Sequence, residues 1–227
     1  MSAGHVRRAN PRIAVAPGPA DWAAEAIRSG GGEAVTLDDD PVGLVWTGGI
    51  VPEDLRGVVA AHPEIVWVQL PLAGVEALAE AGVIDRQRRW TSAKGAYAEP
   101  VAEHALALLL AGLRQLPMRA RARSWGEPAA ATLFDQPVTI VGAGGLATEL
   151  LRLLEPFRSP VTIVRHQPGP LPDGHPLWDL PNCLITPHTA DTEEMRRELL
   201  ARRIAENVRR LAAGQELVGL VDPGLGY

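Results

Sequence analysis

The stretch VTIVGAGGLA, residues 138–147, places small residues at a fixed spacing directly after a strand-like apolar run. Gly142, Gly144 and Ala147 make the pattern G-x-G-x-x-A, which is typical of a turn that binds a dinucleotide. In such a turn the first glycine permits the tight bend, the second lets a pyrophosphate approach the backbone, and the alanine lets the helix pack closely on the strand. The sequence therefore predicts a cofactor-binding turn here.

The segments around this turn have the order of a β-α-β unit: the strand-like VTIVGA, the helical GLATELLRLLEPF and the strand-like VTIVR. The first turn of the helix contains Gly145, Leu146 and Ala147. Because the free N–H groups and the positive dipole end of a helix N-terminus favour anions, we expect this turn to hold the phosphates of the cofactor. A tight turn without any ligand is the alternative.

The residue that ends the second strand distinguishes the two nicotinamide cofactors. Sites that prefer NAD carry an acid there, about 20 residues after the glycines, which accepts hydrogen bonds from the ribose. This sequence has Arg165 instead. A cation at that place can pair with a 2′-phosphate, so the sequence predicts NADP over NAD, with an exposed arginine at a strand end as the alternative reading.

The composition is that of an ordinary globular protein with room for two domains: 227 residues, 46% of them apolar, and a mean hydropathy near zero. No run approaches the ~18 apolar residues of a membrane span. The charged start MSAGHVRRAN has no apolar region behind it, so we expect no secretory signal. Cys183 is the single cysteine, which favours a reducing cytosol, and the net charge of −5 argues against nucleic acid as the main partner.

Elsewhere the pattern predicts an α/β fold. Residues 12–70 alternate short strand-like runs with helical ones, which is typical of a parallel sheet with helices packed on it. A long helix is expected to begin near Glu99 and Pro100, since proline is favoured in a first turn. Residues 101–113 are apolar nearly all round, which predicts that this helix is buried between domains or subunits.

The last helix is predicted from its apolar stripe, which contains Leu200, Ile204, Val208 and Leu211, and it is expected to end at Gly214. Pairs of glutamate and arginine four residues apart predict a solvated face; they are Glu193/Arg197, Glu198/Arg202 and Glu206/Arg210. The run LVGLV, residues 217–221, predicts a terminal strand. His188 lies between a strand-like run and this helix, where a histidine taken alone is more often structural than catalytic.

Taken together, these residues resemble the D-isomer-specific 2-hydroxyacid dehydrogenases. The similarity extends over nearly the whole chain in fixed order, through WVQLPLAGVE (67–76), TSAKGAYAEPVAEHALALLLAGLR (91–114), VTIVGAGGLATELL (138–151) and LPDGHPLWDLPNCLITPHTA (171–190). Several independent segments in order are more specific than any one motif. The resemblance implies a flavodoxin-like substrate domain, residues 1–98 and 189–227, and a Rossmann-type dinucleotide-binding domain, residues 99–188.

The resemblance also implies an activity, hydride transfer between NAD(P)H and a small 2-oxo or 2-hydroxy acid. By this likeness the backbone N–H groups of Ala73, Gly74 and Val75 would bind the substrate carboxylate. His188 would exchange a proton with the oxygen at carbon 2. The helix at residues 100–113 would serve as a hinge and as the contact of a homodimer.

The sequence departs from that family at two side chains. Such enzymes use an arginine in an N-x-A-R-G stretch to grip the substrate carboxylate, and a glutamate to orient the histidine. No N-x-A-R-G occurs here, and Gly169 stands at the position that best matches the glutamate. Only 46 residues separate Gly142 from His188, whereas each further β-α-β step needs about 30. We therefore infer an internally shortened chain without the second half of the Rossmann domain, joined at the Pro-Gly-Pro of residues 168–170.

Two functions remain open at this point. The first is an oxidoreductase whose activity is impaired by the shortening, and the second is a non-catalytic protein that binds NAD(P) or dimerises. A metal site has little support, because the candidate ligands have no familiar spacing; they are His166, His175, Cys183 and His188.

Overall fold

The structure, a computed structural model, describes residues 10–127, 129–142, 144–164 and 190–224. The chain divides into two compact units, Met1–Ala96 with Glu193–Tyr227, and Tyr97–Thr192. The first unit contains β1 (Arg12–Ala16), α1 (Asp21–Ser29), β2 (Glu33–Val35), β3 (Gly43–Trp46), α2 (Pro52–Ala61), β4 (Trp67–Gln69), α3 (Glu76–Glu80), β5 (Arg89–Thr91) and α7 (Glu193–Ala213). The second unit contains α4 (Ala98–Leu113), α5 (Leu116–Arg119), β6 (Val138–Val141), α6 (Gly145–Leu154) and β7 (Val161–Val164).

The sheet of the first unit has five strands, all parallel, in the order β2-β1-β3-β4-β5. This is the order of a flavodoxin-like sheet. The predicted parallel sheet with packed helices and its flavodoxin-like character are therefore confirmed.

The core of this sheet domain lies on both faces of β3 and β4, whose residues are buried without exception. On one face Trp46, Val68 and Trp90 pack with Leu55 of α2 and Leu78 of α3. Strands that are buried on both faces have near-continuous apolar sequences, as here. This burial explains why GLVW and WVQL lack the alternation of a half-exposed strand.

Helix α7 completes the sheet domain from the far end of the sequence. Its predicted stripe is buried at Leu200, Ile204 and Val208, and the helix packs against α1. The three predicted Glu–Arg pairs also form, with N–O distances of 2.6, 2.5 and 2.6 Å. Gly214, with φ of +68°, follows the last helical residue, as predicted.

The predicted terminal strand at residues 217–221 is wrong. This segment makes one antiparallel bridge, from Leu220 to Thr91 of β5, and no extended ladder. Gly219 interrupts the run with φ of +78°, and the N–H of Val218 donates to Asn207 Oδ1 instead of to a strand. A left-handed residue in the middle of five prevents regular pairing.

The second unit contains a small parallel sheet in which β6 pairs with β7, in register from Val138 with Val161 to Val141 with Val164. Helix α4 packs against α6 and has Pro100 in its first turn, as predicted. Residues 103–113 of α4 are half-buried or exposed. Across the described ranges, no helix combines the length and apolar character needed to cross a membrane.

The packing of α7 on α1 can be tested at Gly30, the residue that follows α1. A Cβ there would lie 2.5 Å from the carbonyl oxygen of Ala205 and 2.8 Å from Cβ of Val208. We expect Gly30→Ala to destabilise the protein by about 1–3 kcal/mol, because α7 must shift. Chemical denaturation followed by circular dichroism measures the change.

The matched control is Gly57→Ala in α2, where an added Cβ meets no atom within 4 Å. It should stabilise the protein by about 0.5–1 kcal/mol, because alanine is the better helix former. Equal effects of the two substitutions would contradict the close contact between α7 and the end of α1.

Candidate functional site

The turn after β6 is built around Gly142, which has φ of +109°. L-residues with a side chain rarely adopt this conformation, so the backbone itself requires glycine. The N–H of Gly142 donates to the carbonyl oxygen of Val164 at 2.7 Å. The turn is therefore fixed to the end of β7, the strand that precedes Arg165.

Gly144 is the N-cap residue of α6 and differs from Gly142 in its geometry. Its φ is −90°, and an added Cβ would find no neighbouring atom within 4 Å. Neither backbone strain nor crowding requires glycine at this position. The open space beside Gly144 is what a pyrophosphate lying against the backbone would need.

The N-terminus of α6 has the properties of an anion-binding site. The N-cap residue, Gly144, has no side chain that could cap the helix, and the first turn contains no acidic residue. The first N–H groups of a helix lack partners within the helix, so those of Gly145 and Leu146 are suited to bind phosphate oxygens. Ala147 is buried, whereas the Leu146 side chain is exposed. Of the predicted cofactor residues, Gly142 follows β6, Gly144 precedes α6, and Gly145, Leu146 and Ala147 form the first turn of α6; their role in binding remains a prediction.

An ion pair joins the segment before β6 to the segment between α6 and β7. Arg158, after α6, donates to both carboxylate oxygens of Asp135, before β6, at 2.9 and 2.8 Å. These hydrogen bonds lower the pKa of the Asp135 carboxyl below its usual value and raise the pKa of Arg158. The Arg158 guanidinium also lies over the Phe134 ring, 5.3 Å from its centre. A bidentate pair of this kind restricts how the two segments can separate.

The predicted carboxylate-binding residues form the loop between β4 and α3. Ala73 and Gly74 are exposed, and the Val75 side chain is buried. The loop is held at its start by the Ala93 N–H, which donates to Leu72 O at 2.7 Å. In the described part of the chain, the N–H groups of residues 73–75 donate no hydrogen bond. Three adjacent donors without protein partners are suited to bind an anion.

Several predicted residues lie outside the described ranges. They are Arg165, Gly169 and the weak metal candidates His166, His175, Cys183 and His188, of which His188 is also the predicted proton donor. Their assignments remain predictions. Arg165 directly follows β7 in the sequence, so its position along the chain is the one at which the second strand ends.

The structure also reveals a buried polar cluster that the sequence analysis missed. Gln69, Thr91 and Asn207 are fully buried. Asn207 Nδ2 donates to Gln69 Oε1 at 2.9 Å, and the Gln69 amide donates to Leu70 O at 2.9 Å. A glutamine in an otherwise apolar buried strand was the available signal, because buried polar groups need partners. The sequence alone gave no means to identify Asn207, which lies 138 residues away.

Comparison with known proteins gives relatives of two kinds. No protein-family model matches the chain. A Corynebacterium melassecola protein described as an uncharacterized protein in the proB 3′ region is 27% identical, over 89% of this chain and 95% of its own length. Glyoxylate/hydroxypyruvate reductase A of Photorhabdus laumondii is 40% identical over 58 residues, 26% of this chain. The chain matches only 18% of that reductase's length.

Solved structures agree over nearly the whole chain. A D-isomer specific 2-hydroxyacid dehydrogenase family protein from Aeromonas salmonicida gives a TM-score of 0.68 at 16% identity, covering 95% of this chain and 100% of that one. This chain has the fold of the D-isomer-specific 2-hydroxyacid dehydrogenases. An NADPH-dependent glyoxylate/hydroxypyruvate reductase from Sinorhizobium meliloti was solved with NADP and sulfate. It gives a TM-score of 0.66 at 16% identity, covering 96% of this chain and 100% of that one. The resemblance inferred from the sequence motifs is confirmed.

The dehydrogenase fold is shortened in this chain. The alignment with the Corynebacterium relative is 297 residues long, whereas this chain has 227 residues in all. The relative therefore contains residues that have no counterpart here. Within the residues that the structure describes, the second unit contains two strands, β6 and β7.

The geometry of the turn makes different predictions for its two glycines. We expect Gly142→Ala to destabilise the second unit by about 1–2 kcal/mol, since alanine must adopt a strained conformation. Gly144→Ala is the control and should cost less than Gly142→Ala, because its φ is ordinary and no atom opposes its methyl group, so only the poorer N-cap preference of alanine remains. Thermal unfolding followed by circular dichroism measures both. A larger loss for Gly144→Ala would show that the turn has another conformation.

Proposed function

We propose that the chain binds NADP(H) at the turn after β6 and transfers a hydride between this cofactor and a small 2-oxo or 2-hydroxy acid. One observation carries the proposal: a glycine with positive φ is followed by an uncapped helix N-terminus with open space beside Gly144. This arrangement fits a pyrophosphate, which is charged, compact and able to accept several backbone hydrogen bonds. Solved structures with the same fold contain NADP or NADPH.

The preference for NADP rests on Arg165. In a dinucleotide-binding β-α-β unit, the residue that follows the second strand is the one that meets the ribose, and in this sequence that residue is Arg165. A guanidinium there would pair with a 2′-phosphate, and an acid would repel it. We therefore assign Arg165 to cofactor selection.

The substrate side of the proposal uses the first unit. The free N–H groups of Ala73, Gly74 and Val75 would hold the carboxylate of a 2-oxo acid, and His188 would donate a proton to its carbonyl oxygen. The cofactor supplies the hydride to carbon 2 when bound, so the product is a 2-hydroxy acid. We assign residues 1–98 and 189–227 to the substrate domain, and residues 99–188 to the cofactor domain.

We propose that this activity is weak. The sequence has no N-x-A-R-G stretch for the carboxylate and has Gly169 in place of a glutamate beside the histidine. Acid–base catalysis contributes about 10²–10⁴ in rate, so loss of the group that orients the histidine removes part of that factor. These two departures also favour the alternative function, a protein that binds NADP(H) without catalysis.

A homodimer is the quaternary structure that we propose, with residues 100–113 at the contact. Helix α4 is apolar on nearly all sides, yet residues 103–113 are half-buried or exposed. Exposed apolar surface of this kind marks association sites. We also propose a cytoplasmic location, because a single cysteine suits a reducing compartment.

Cofactor binding can be tested by titrating the full chain with NADPH and following its fluorescence. We expect saturable binding by the wild type, and affinity lower by about tenfold or more in Gly144→Ala, whose methyl group occupies the space of the pyrophosphate. Arg165→Asp should bind NADPH more weakly and NADH unchanged or better. No saturable signal in the wild type would refute the proposal, and equal affinity for NADH and NADPH would refute the role of Arg165.

Catalysis is tested by NADPH oxidation with glyoxylate or hydroxypyruvate. We expect slow turnover that falls by about 10²–10⁴ in His188→Ala, because the proton donor is lost. NADPH affinity should not change in this variant, which serves as the control for folding. Undetectable wild-type turnover with normal NADPH binding would establish the alternative function, and equal turnover in both proteins would refute the role of His188.

A further inference from the structure

The loop that precedes α3 is connected to α7 by a chain of buried hydrogen bonds. Both polar atoms of the Asn207 side chain bind the backbone of Val218. Asn207 Oδ1 accepts from the Val218 N–H at 2.8 Å, and Asn207 Nδ2 donates to Val218 O at 3.0 Å. A backbone N–H can only donate and a carbonyl only accept, so this pairing fixes which way the Asn207 amide faces. The remaining Nδ2 proton points to Gln69.

The orientation of Asn207 in turn fixes the orientation of Gln69. Asn207 presents a donor, so Gln69 must face it with Oε1, at 2.9 Å. The Gln69 Nε2 is then directed to the other side, where it donates to Leu70 O at 2.9 Å and towards Thr91 O at 3.4 Å. Thr91 Oγ1 lies 2.9 Å from the same Gln69 oxygen. If the Gln69 amide were reversed, its Nε2 would face another donor, Asn207 Nδ2. Its Oε1 would then face other acceptors, the carbonyl oxygens of Leu70 and Thr91.

These contacts fix the peptide group at which the loop begins. Leu70 donates its N–H to Thr91 O at 2.8 Å and accepts from Gln69, so both of its backbone groups are bound. Pro71 follows and restricts the next φ. Leu72 is bound in turn by Ala93. The free N–H groups at residues 73–75 come directly after this fixed segment.

We propose that Asn207 and Gln69 are positioning residues for the substrate carboxylate. Asn207 sets the Gln69 amide, the amide holds the Leu70 carbonyl, and the backbone donors at residues 73–75 are thereby kept in place. The role in substrate binding rests on the proposed function, whereas the role in holding the loop stands on the contacts themselves. Donors that are fixed before a ligand arrives bind it without a further loss of conformational entropy.

The test uses two nearly isosteric variants of the full chain. Asn207→Asp keeps the acceptor for Val218 but replaces the donor with an oxygen, so Gln69 must turn its amide away from Leu70. Gln69→Met removes the amide. The readouts are the hydrogen exchange of the Ala93 N–H, which reports the bond to Leu72, and the affinity for oxalate, a carboxylate that resembles glyoxylate. We expect Ala93 exchange to rise about tenfold and oxalate affinity to fall about tenfold, as for loss of one or two buried hydrogen bonds.

The matched control is Ile204→Ala on the same helix. It removes apolar packing and lowers the stability of the same unit, but it leaves the hydrogen bonds to Gln69 intact. The proposal requires that Ile204→Ala leave oxalate affinity unchanged and raise Ala93 exchange no more than it raises exchange throughout the same unit. NADPH affinity should stay the same in all variants.

Ala93 exchange that is unchanged in both Asn207→Asp and Gln69→Met, or raised equally by Ile204→Ala, would overturn the proposal. A wild-type chain that does not bind oxalate would refute the proposed carboxylate site, and with it the substrate role of these two residues. In that case Ala93 exchange still decides whether they hold the loop.

Discussion

The hydrogen bond between Asn207 and Gln69 joins two parts of the chain that are 138 residues apart. Both side chains are fully buried, and a buried amide without its partner destabilises a fold by about 1–3 kcal/mol. The sheet domain is therefore complete only after the chain has passed through the second unit and returned as α7. The first unit is accordingly discontinuous in sequence: the second unit, Tyr97–Thr192, is inserted before the helix that completes the sheet domain.

The two sheets differ in how far they are covered. In the first unit β3 and β4 are buried on both faces, whereas in the second Val141 and Val164 are 65% and 45% exposed. A parallel sheet is normally covered on both faces, and two strands form a marginal sheet on their own. The shortened unit accordingly depends mainly on the packing of α4 on α6, and the exposed Asp135–Arg158 pair adds little to its stability. A ligand that binds only the folded form would stabilise such a unit further.

The sequence predicted those features that local pattern determines. The strands, most helix boundaries, the stripe of α7 and the glycine turn follow from periodicity and from residue types such as Pro100 and Gly142, whose backbone preferences are strong. Contacts between residues distant in sequence could not be predicted. In the sequence Asn207 is a polar residue on a charged helix, and only the fold shows that it contacts Gln69. The prediction of a terminal strand was wrong for a related reason. The apolar pattern of LVGLV does not reveal that the Val218 N–H donates to the side chain of Asn207.

The contrast between Gly142 and Gly144 separates what the fold requires from what a ligand would require. Gly142 has a backbone conformation that only glycine adopts readily, so its identity needs no ligand to explain it. Gly144 has an ordinary φ and empty space around it, and a serine, threonine or aspartate at this N-cap would stabilise α6 by roughly 1 kcal/mol relative to a residue that cannot cap. A side chain in that position would occupy the N–H groups that an anion needs. Glycine at this N-cap leaves the first N–H groups of α6 without a side-chain cap from residue 144, which is the arrangement that the proposed phosphate site requires.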